Sequence, residues 1–306
     1  MPDYIVHKAV EYSALSAKAK AGLEQTYQWV LSPKYDGCHA VFLFDERKHV
    51  VTLSRTGEQV LSMPHIATDL LHVYGHLLSE GRWAVCGEAW TPGQEFNVLS
   101  GWFRKQSPVP DLRFVPFDIV EWAPNTSGTC STPHLSSTAR YSARCNALLQ
   151  PEGCGYHRII SPRFLALSGT FSEVLPQAVE YAKEHKARAD SFFDGAVLAQ
   201  AGGAYTVGAG KGGEFIKIKP LLSYTVKVDA VVADLGGKTG KNTCVLMFEL
   251  DGKMQKVSTG LTQDQADEYT AYPERIIDSL IEVEAMGVTV NGYLREPRFK
   301  GIRTDA

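Results

Sequence analysis

Lys34-Tyr35-Asp36-Gly37-Cys38-His39 is the stretch on which the reading of this 306-residue chain turns. Alone, Lys-x-Asp-Gly is an ordinary surface turn, because Asp and Gly both favour tight reversals. Its weight comes from the segments that follow in order. These are Ser54-Arg55-Thr56-Gly57, Gly87-Glu88-Ala89, residues 114–120, and Phe193-Asp194-Gly195-Ala196-Val197-Leu198. Lys217-Ile218-Lys219 comes next, and Arg298-Phe299-Lys300-Gly301-Ile302-Arg303-Thr304-Asp305 closes the series. Strand positions two apart point the same way, so the spacing predicts Lys217 and Lys219 facing one pocket.

Composition sets the frame. The chain is 44 % hydrophobic and 21 % charged, as in soluble globular proteins, and its length suits one large domain or two ordinary ones. No 18-residue apolar run predicts a membrane helix. Residues 1–20 lack the apolar core of a signal peptide, so the cytoplasm is the expected compartment. Six cysteines without a Cys-x-x-Cys pair imply free thiols. Cys130, His134, Cys145, Cys154 and His157 match no standard zinc spacing, and zinc is not expected there. A net charge of −3 gives no bulk support for nucleic-acid binding. Local clusters do: Arg295, Arg298, Lys300 and Arg303, and separately Lys211, Lys217 and Lys219. Phosphate contacts depend on such patches, the bland alternative being a solvated basic face.

Patterning predicts a short helix within 14–28, a hairpin from 40–44 and 50–53, and a helix over 66–78. Strands follow at 83–90 and 112–120, with Pro116 demoting the second to an edge or bulged strand. A loop spans 123–138 and a helix 176–188. Beyond Pro220, alternation over 226–232 reads as one half-buried strand. Further strands at 244–250, 256–259 and 281–290, with a helical patch at 262–279, suggest a small barrel of the OB type. The boundary falls at 220–223.

In this order the segments resemble the motif ladder of covalent nucleotidyltransferases, most closely small bacteriophage-type ATP-dependent DNA ligases, over nearly the whole chain. The resemblance implies an α+β fold: a nucleotidyltransferase (ATP-grasp-like adenylation) domain of antiparallel sheets and helices over 1–220, then an OB-fold β-barrel over 221–306. It implies a monomeric enzyme, free of membranes, that uses ATP and Mg2+ to seal 5′-phosphate/3′-hydroxyl nicks in double-stranded DNA. Lys34 matches the nucleophile that carries AMP, and Lys217 and Lys219 the lysine pair beside the α-phosphate. Arg55 matches the contact to ribose or to the nick phosphate, and Phe117 the ring that stacks on adenine. Glu88 matches the ribose-binding carboxylate and, with Asp194, a metal ligand. Arg298 and Arg303, with Asp305, match the last motif, which closes over the pyrophosphate end of ATP.

The chemistry needs a neutral amine. A free lysine near pKa 10.4 is neutral in only about one molecule in 10³ near pH 7.4. Burial and the cations Lys217 and Lys219 are expected to lower the pKa of Lys34. Asp36-Gly37 is expected to form the presenting turn with Gly37 at positive φ. The chain departs from the family at His39, where arginine is usual, and at Asp194, one methylene shorter than the usual glutamate. It also departs at Ala199, and at Ser32-Pro33 before Lys34. Two rival readings remain: an mRNA-capping guanylyltransferase or RNA ligase, and a catalytically degenerate DNA-binding protein with Lys34 or Lys219 silent.

Overall fold

Two compact units divide the chain between Lys219 and Pro220. The computed structural model describes residues 5–78, 81–124, 133–149, 158–186, 193–235, 242–289 and 291–303. Expectations placed on Cys130, Cys154, His157, Thr304 and Asp305 lie outside the described residues.

The first unit runs β1 (His7–Lys8), α1 (Ala17–Leu23), β2 (Gln28–Tyr35), β3 (Cys38–Phe44), β4 (Val50–Ser54) and α2 (Pro64–Leu78). It continues with β5 (Trp83–Ala89), α3 (Phe96–Phe103), β6 (Phe114–Ala123), β7 (His134–Ser136) and α4 (Tyr141–Leu148). Then come β8 (Leu165–Ser168), α5 (Phe171–Lys186), β9 (Phe193–Gln200), β10 (Gly208–Ala209) and β11 (Phe215–Ile218). Its two main sheets have the orders β4-β3-β5-β6-β7 and β11-β9-β2-β8, and the pairings within both are antiparallel.

Period-two side-chain alternation explains why both sheets are buried on two faces. On β3, Ala40, Phe42 and Phe44 pack with Ile66, Leu70 and Tyr74 of α2. Val41 and Leu43 point the other way, into a core with Leu53, Ala84, Cys86 and Tyr205. On β2, Trp29 and Leu31 pack with Phe171 and Val174 of α5, while Val30 meets Tyr141 and Cys145 of α4. Each large side chain so buried contributes about 1.5–3 kcal/mol.

β6 carries the bulge that Pro116 suggested and lies inside its sheet between β5 and β7. One detail differs from the sequence expectation. Helix α5 starts at Phe171 and carries Pro176 inside it. The proline forfeits one early backbone hydrogen bond, which the burial of Phe171, Val174, Ala178 and Ala182 offsets.

The second unit runs β12 (Leu222–Lys227), β13 (Ala230–Leu235), β14 (Asn242–Leu250), β15 (Lys253–Val257) and α6 (Gln263–Ala271). β16 (Leu280–Ala285), β17 (Gly287–Val288), β18 (Leu294–Arg295) and β19 (Arg298–Ile302) follow. Sheets β12-β16-β19 and β13-β14-β15 enclose one core, with Val226, Ile281 and Phe299 from the first and Leu246 and Phe248 from the second. Ala266 and Tyr269 of α6 complete it, giving an OB-type barrel. The single strand expected over 226–232 is two, because the chain changes sheets at Val228-Asp229. Val226 pairs with Ile281, whereas Ala230 pairs with Met247. Beyond the corner the inward side changes, with Val231 packed on the core and Val232 exposed, whereas the sequence pattern continues the inward series through Val232. The helix expected over 262–279 starts at a Thr262/Gln265 capping box and ends at Ala271, ahead of Pro273. Among the described residues, no helix is long and apolar enough to cross a membrane.

Gly195 tests the packing of the first unit. It sits at φ +128°, and a Cβ there would lie 2.1 Å from the carbonyl oxygen of Ile218. Gly195→Ala should cost about 2–5 kcal/mol from backbone strain and overpacking together. Tryptophan fluorescence during urea unfolding isolates this unit, because Trp29, Trp83, Trp90, Trp102 and Trp122 all belong to it. An unchanged midpoint would mean that the β9–β11 contact is not close-packed.

Candidate active site

Lys34 sits where the β2–β9 ladder breaks. Pro33 pairs with Ala196 and Tyr35 with Phe193, so Asp194 and Gly195 both lie opposite Lys34. That is a β-bulge, which bends a strand and re-aims a side chain. Ala196 and Leu198 of β9 face the core under α5; unbroken alternation would send Asp194 there too. The extra residue turns it towards Lys34 instead. Asp194 is only 5 % exposed, and its Oδ2 takes Lys34 Nζ at 2.9 Å and Lys219 Nζ at 2.6 Å. An aromatic group holds the neighbouring residues, with Trp90 stacked on Phe193 at 5.4 Å and Tyr35 edge-on to both.

The electrostatics reverse the expectation for Lys34. Burial pushes its pKa down, but Asp194, Glu88 and Asp36 together outweigh burial and raise it above the ordinary lysine value. Burial likewise works against the Asp194 charge, and the two lysines still hold that carboxyl below the usual range. Neighbouring cations alone would lower the pKa of Lys34, but the pull of three carboxylates on the same amine sets the sign. Lys217 does not join the cluster at Asp194. The spacing predicts one pocket for Lys217 and Lys219, but Lys217 pairs with Glu11 at 3.2 Å while Lys219 pairs with Asp194.

A second row of site residues crosses the other sheet. His39 of β3 lies opposite Glu88 of β5, and the β3–β4 register, Ala40 opposite Ser54, brings Arg55 beside His39. Residues directly opposite one another share a sheet face. Glu88 accepts the Gly37 N–H, and burial raises its pKa to about 7, with Lys34 and Arg55 pulling the other way. Burial, helped by Arg55, lowers His39 to about 3, so its ring is neutral. Among the described residues its buried Nδ1 has no hydrogen-bond partner.

Phe117 is placed by the other bulge. Cys86 pairs with Asp118 and Gly87 with Pro116, leaving Phe117 as the extra residue of β6. It is half-buried between buried neighbours, and its ring meets His39 edge-on at 5.4 Å. Gly37 serves this site differently from the expected turn. Its φ is not positive; glycine is required because a Cβ would lie 2.3 Å from the carbonyl oxygen of Ala89.

In the second unit, Arg298 and Lys300 flank buried Phe299 on β19, and Lys300 pairs with Glu284 at 3.2 Å. With Leu221 and Gly260 these residues line a cavity on that unit. Arg303 follows β19, its backbone N–H bonded to Leu280 and its guanidinium 3.5 Å from the Thr225 hydroxyl.

One pair escaped the sequence reading. Arg144 of α4 grips Asp118 through two bonds, 2.7 and 3.2 Å, both side chains being almost wholly buried. The signal was a lone acid inside an apolar strand, which cannot stay buried without a partner.

No protein-family model and no curated protein sequence matches the chain. Solved structures do. Pmar-Lig_PreS3 aligns over 99 % of this chain and 68 % of its own, at 18 % identity and a TM-score of 0.70. A Lig E DNA ligase, described as binding DNA with a minimal scaffold, covers 97 % of this chain and 98 % of its own, at 20 % identity and 0.62. The ATP-dependent DNA ligase of bacteriophage T7, in complex with ATP, covers the same shares at 17 % identity and 0.51. At these identities the likeness is one of fold. The chain shares the fold of these solved structures, ATP-dependent and Lig E DNA ligases among them.

Proposed function

We propose that the chain is an ATP-dependent DNA ligase that seals 5′-phosphate/3′-hydroxyl nicks in duplex DNA through an AMP phosphoramidate on Lys34. The observation that carries this reading is Lys34 held with Lys219 on buried Asp194, inside a fold shared with DNA ligases. In the first step the Lys34 amine forms a bond to the α-phosphorus of ATP as the bond to pyrophosphate breaks. AMP then passes to the 5′-phosphate of a nick, freeing Lys34. Finally the 3′-hydroxyl attacks that phosphate and AMP leaves. Each step is an in-line displacement at phosphorus, in which positioning and charge supply most of the catalysis.

The residues divide the work. Lys219 is suited to stabilise charge on the α-phosphate, Phe117 to stack on the base, and Glu88 to accept from the ribose hydroxyls; Lys217 would have to leave Glu11 to assist Lys219. By their place in the motif order we assign Arg55 to a phosphate contact, and Arg298 and Arg303 to the departing pyrophosphate. Among the described residues, no three His, Cys, Asp or Glu side chains gather into a metal cage. Mg2+ is commonly held by one or two carboxylates together with substrate phosphates. Glu88 and Asp194 would suit that mode, since burial penalises the bare charge of Glu88 and a bound cation would offset that penalty. When bound, the ion would neutralise phosphate charge.

Incubation with radiolabelled ATP or GTP separates this reading from a capping enzyme, which would take GMP. Lys34→Ala should abolish AMP labelling yet retain sealing of a pre-adenylylated nick; labelling that persists would remove Lys34 as nucleophile.

Lys34 can attack only after losing the proton that Asp194, Glu88 and Asp36 hold on it. Asp194→Asn removes the first of these, so the pKa of Lys34 should fall. The neutral amine then appears at lower pH, and the acidic limb of the single-turnover labelling profile should move down. The maximal rate should drop at the same time, because a carboxylate suited to the metal is gone. A limb that stays in place would mean that Asp194 does not govern the protonation of Lys34.

Arg303→Ala should slow AMP labelling by about 10²–10³, the usual loss for one charged contact made in the transition state. Sealing of a pre-adenylylated nick should change far less. Equal losses in both assays would assign Arg303 to folding or to DNA contact.

A further inference from the structure

Phe117 is the extra residue of a bulge, and a bulge leaves backbone groups outside the ladder. Helix α4 answers both sides of it. The Tyr141 hydroxyl donates to the carbonyl oxygen of Phe117 at 3.3 Å. The next residue, Asp118, receives the two-pronged Arg144 contact at 2.7 and 3.2 Å. Arg144 also donates to the carbonyls of Ala139 and Gly203, and its guanidinium lies 5.3 Å from the Tyr141 ring centroid. Asp118 is further tied by the Ile119 N–H at 2.9 Å. Arg144 therefore joins β6, the start of α4 and the turn after β9 at one buried point.

Ordinary stability does not call for this arrangement. A buried ion pair is often no better than well-packed apolar residues of the same volume. What the pair adds is direction, because a planar guanidinium fixes a carboxylate in one orientation. Asp118 is the residue next to the ring, so fixing its carboxylate fixes the exit of Phe117 from the strand.

We propose that Asp118 and Arg144 are positioning residues that hold the bulge at Phe117, and so aim its ring at the base of the bound nucleotide. The inference rests on the reading of Phe117 as the base-stacking ring. Neither side chain touches the nucleotide; both act through Phe117.

The test uses the full chain. Arg144→Met alone strands a buried carboxylate and can fail to fold, so the decisive variant is Asp118→Leu with Arg144→Met, which removes both charges. Its urea midpoint should fall modestly, since the carbonyls of Ala139 and Gly203 and the Ile119 N–H lose their partners, but the unit should still unfold cooperatively. Its KM for ATP in enzyme–AMP formation should rise about tenfold or more, the worth of one base–aromatic stack, with kcat within a few-fold. Arg144→Lys, which keeps charge but loses the fork, should fall between. Phe117→Ala in the doubly substituted chain should add nothing further, since residues acting through one another are not additive. Additive losses, or an unchanged KM, would overturn the proposal.

Amide exchange provides the arm that does not depend on nucleotide. Protection at residues 117–119 should drop in the double variant without loss in the rest of the unit, and unchanged protection there would also overturn the clamp. If the parent chain takes no AMP from ATP, the ligase reading fails. The exchange arm then still decides whether the pair holds the bulge.

Discussion

One buried carboxylate, Asp194, organises the first unit's site. It satisfies two ammonium groups from different strands, and it would be costly to bury without them. The same contact sets the resting state of Lys34, which stays protonated because the attraction of nearby carboxylates exceeds the penalty of burial. The proposed nucleophile and its restraint are thus one ionic cluster. Any chemistry at Lys34 begins with a change in the charge around Asp194.

Both key side chains emerge where a sheet ladder breaks. At Asp194-Gly195 the extra residue rotates a carboxylate from the helix-covered face to the side of Lys34. At Phe117 it brings a half-buried ring against His39. A regular strand can only alternate two faces, so a residue whose parity is wrong for the site needs a bulge. Close backbone approach goes with this. Gly37 lies against the Ala89 carbonyl, and Gly87 leaves no room for a Cβ beneath the Phe114 ring.

The row Arg55, His39, Glu88 places a neutral ring between a cation and a carboxylate. His39 gives Glu88 no positive partner, and burial then lifts that carboxyl towards neutrality. An arginine at position 39 would supply a fixed charge there instead. The departure noticed in the sequence therefore has a definite electrostatic consequence in the fold.

Local physics made much of this legible in the sequence. Short β-branched and aromatic runs split by charge gave β3 and β4, helical spacing gave α2, and the onset of alternation marked the change of character after Pro220, because each depends on neighbours within a few positions. Motif order singled out Lys34, Glu88, Asp194 and Lys219. The tertiary structure decided the rest. Lys217 turns to Glu11, Gly37 is required for space rather than for φ, and Lys34 is held as an ammonium. Asp118 finds Arg144 across 26 positions, and the strand after Pro220 divides at a sheet corner. In each case the outcome depends on which groups distant in sequence share a dry, crowded space, and there the strength of a charge or the room for a single carbon is set.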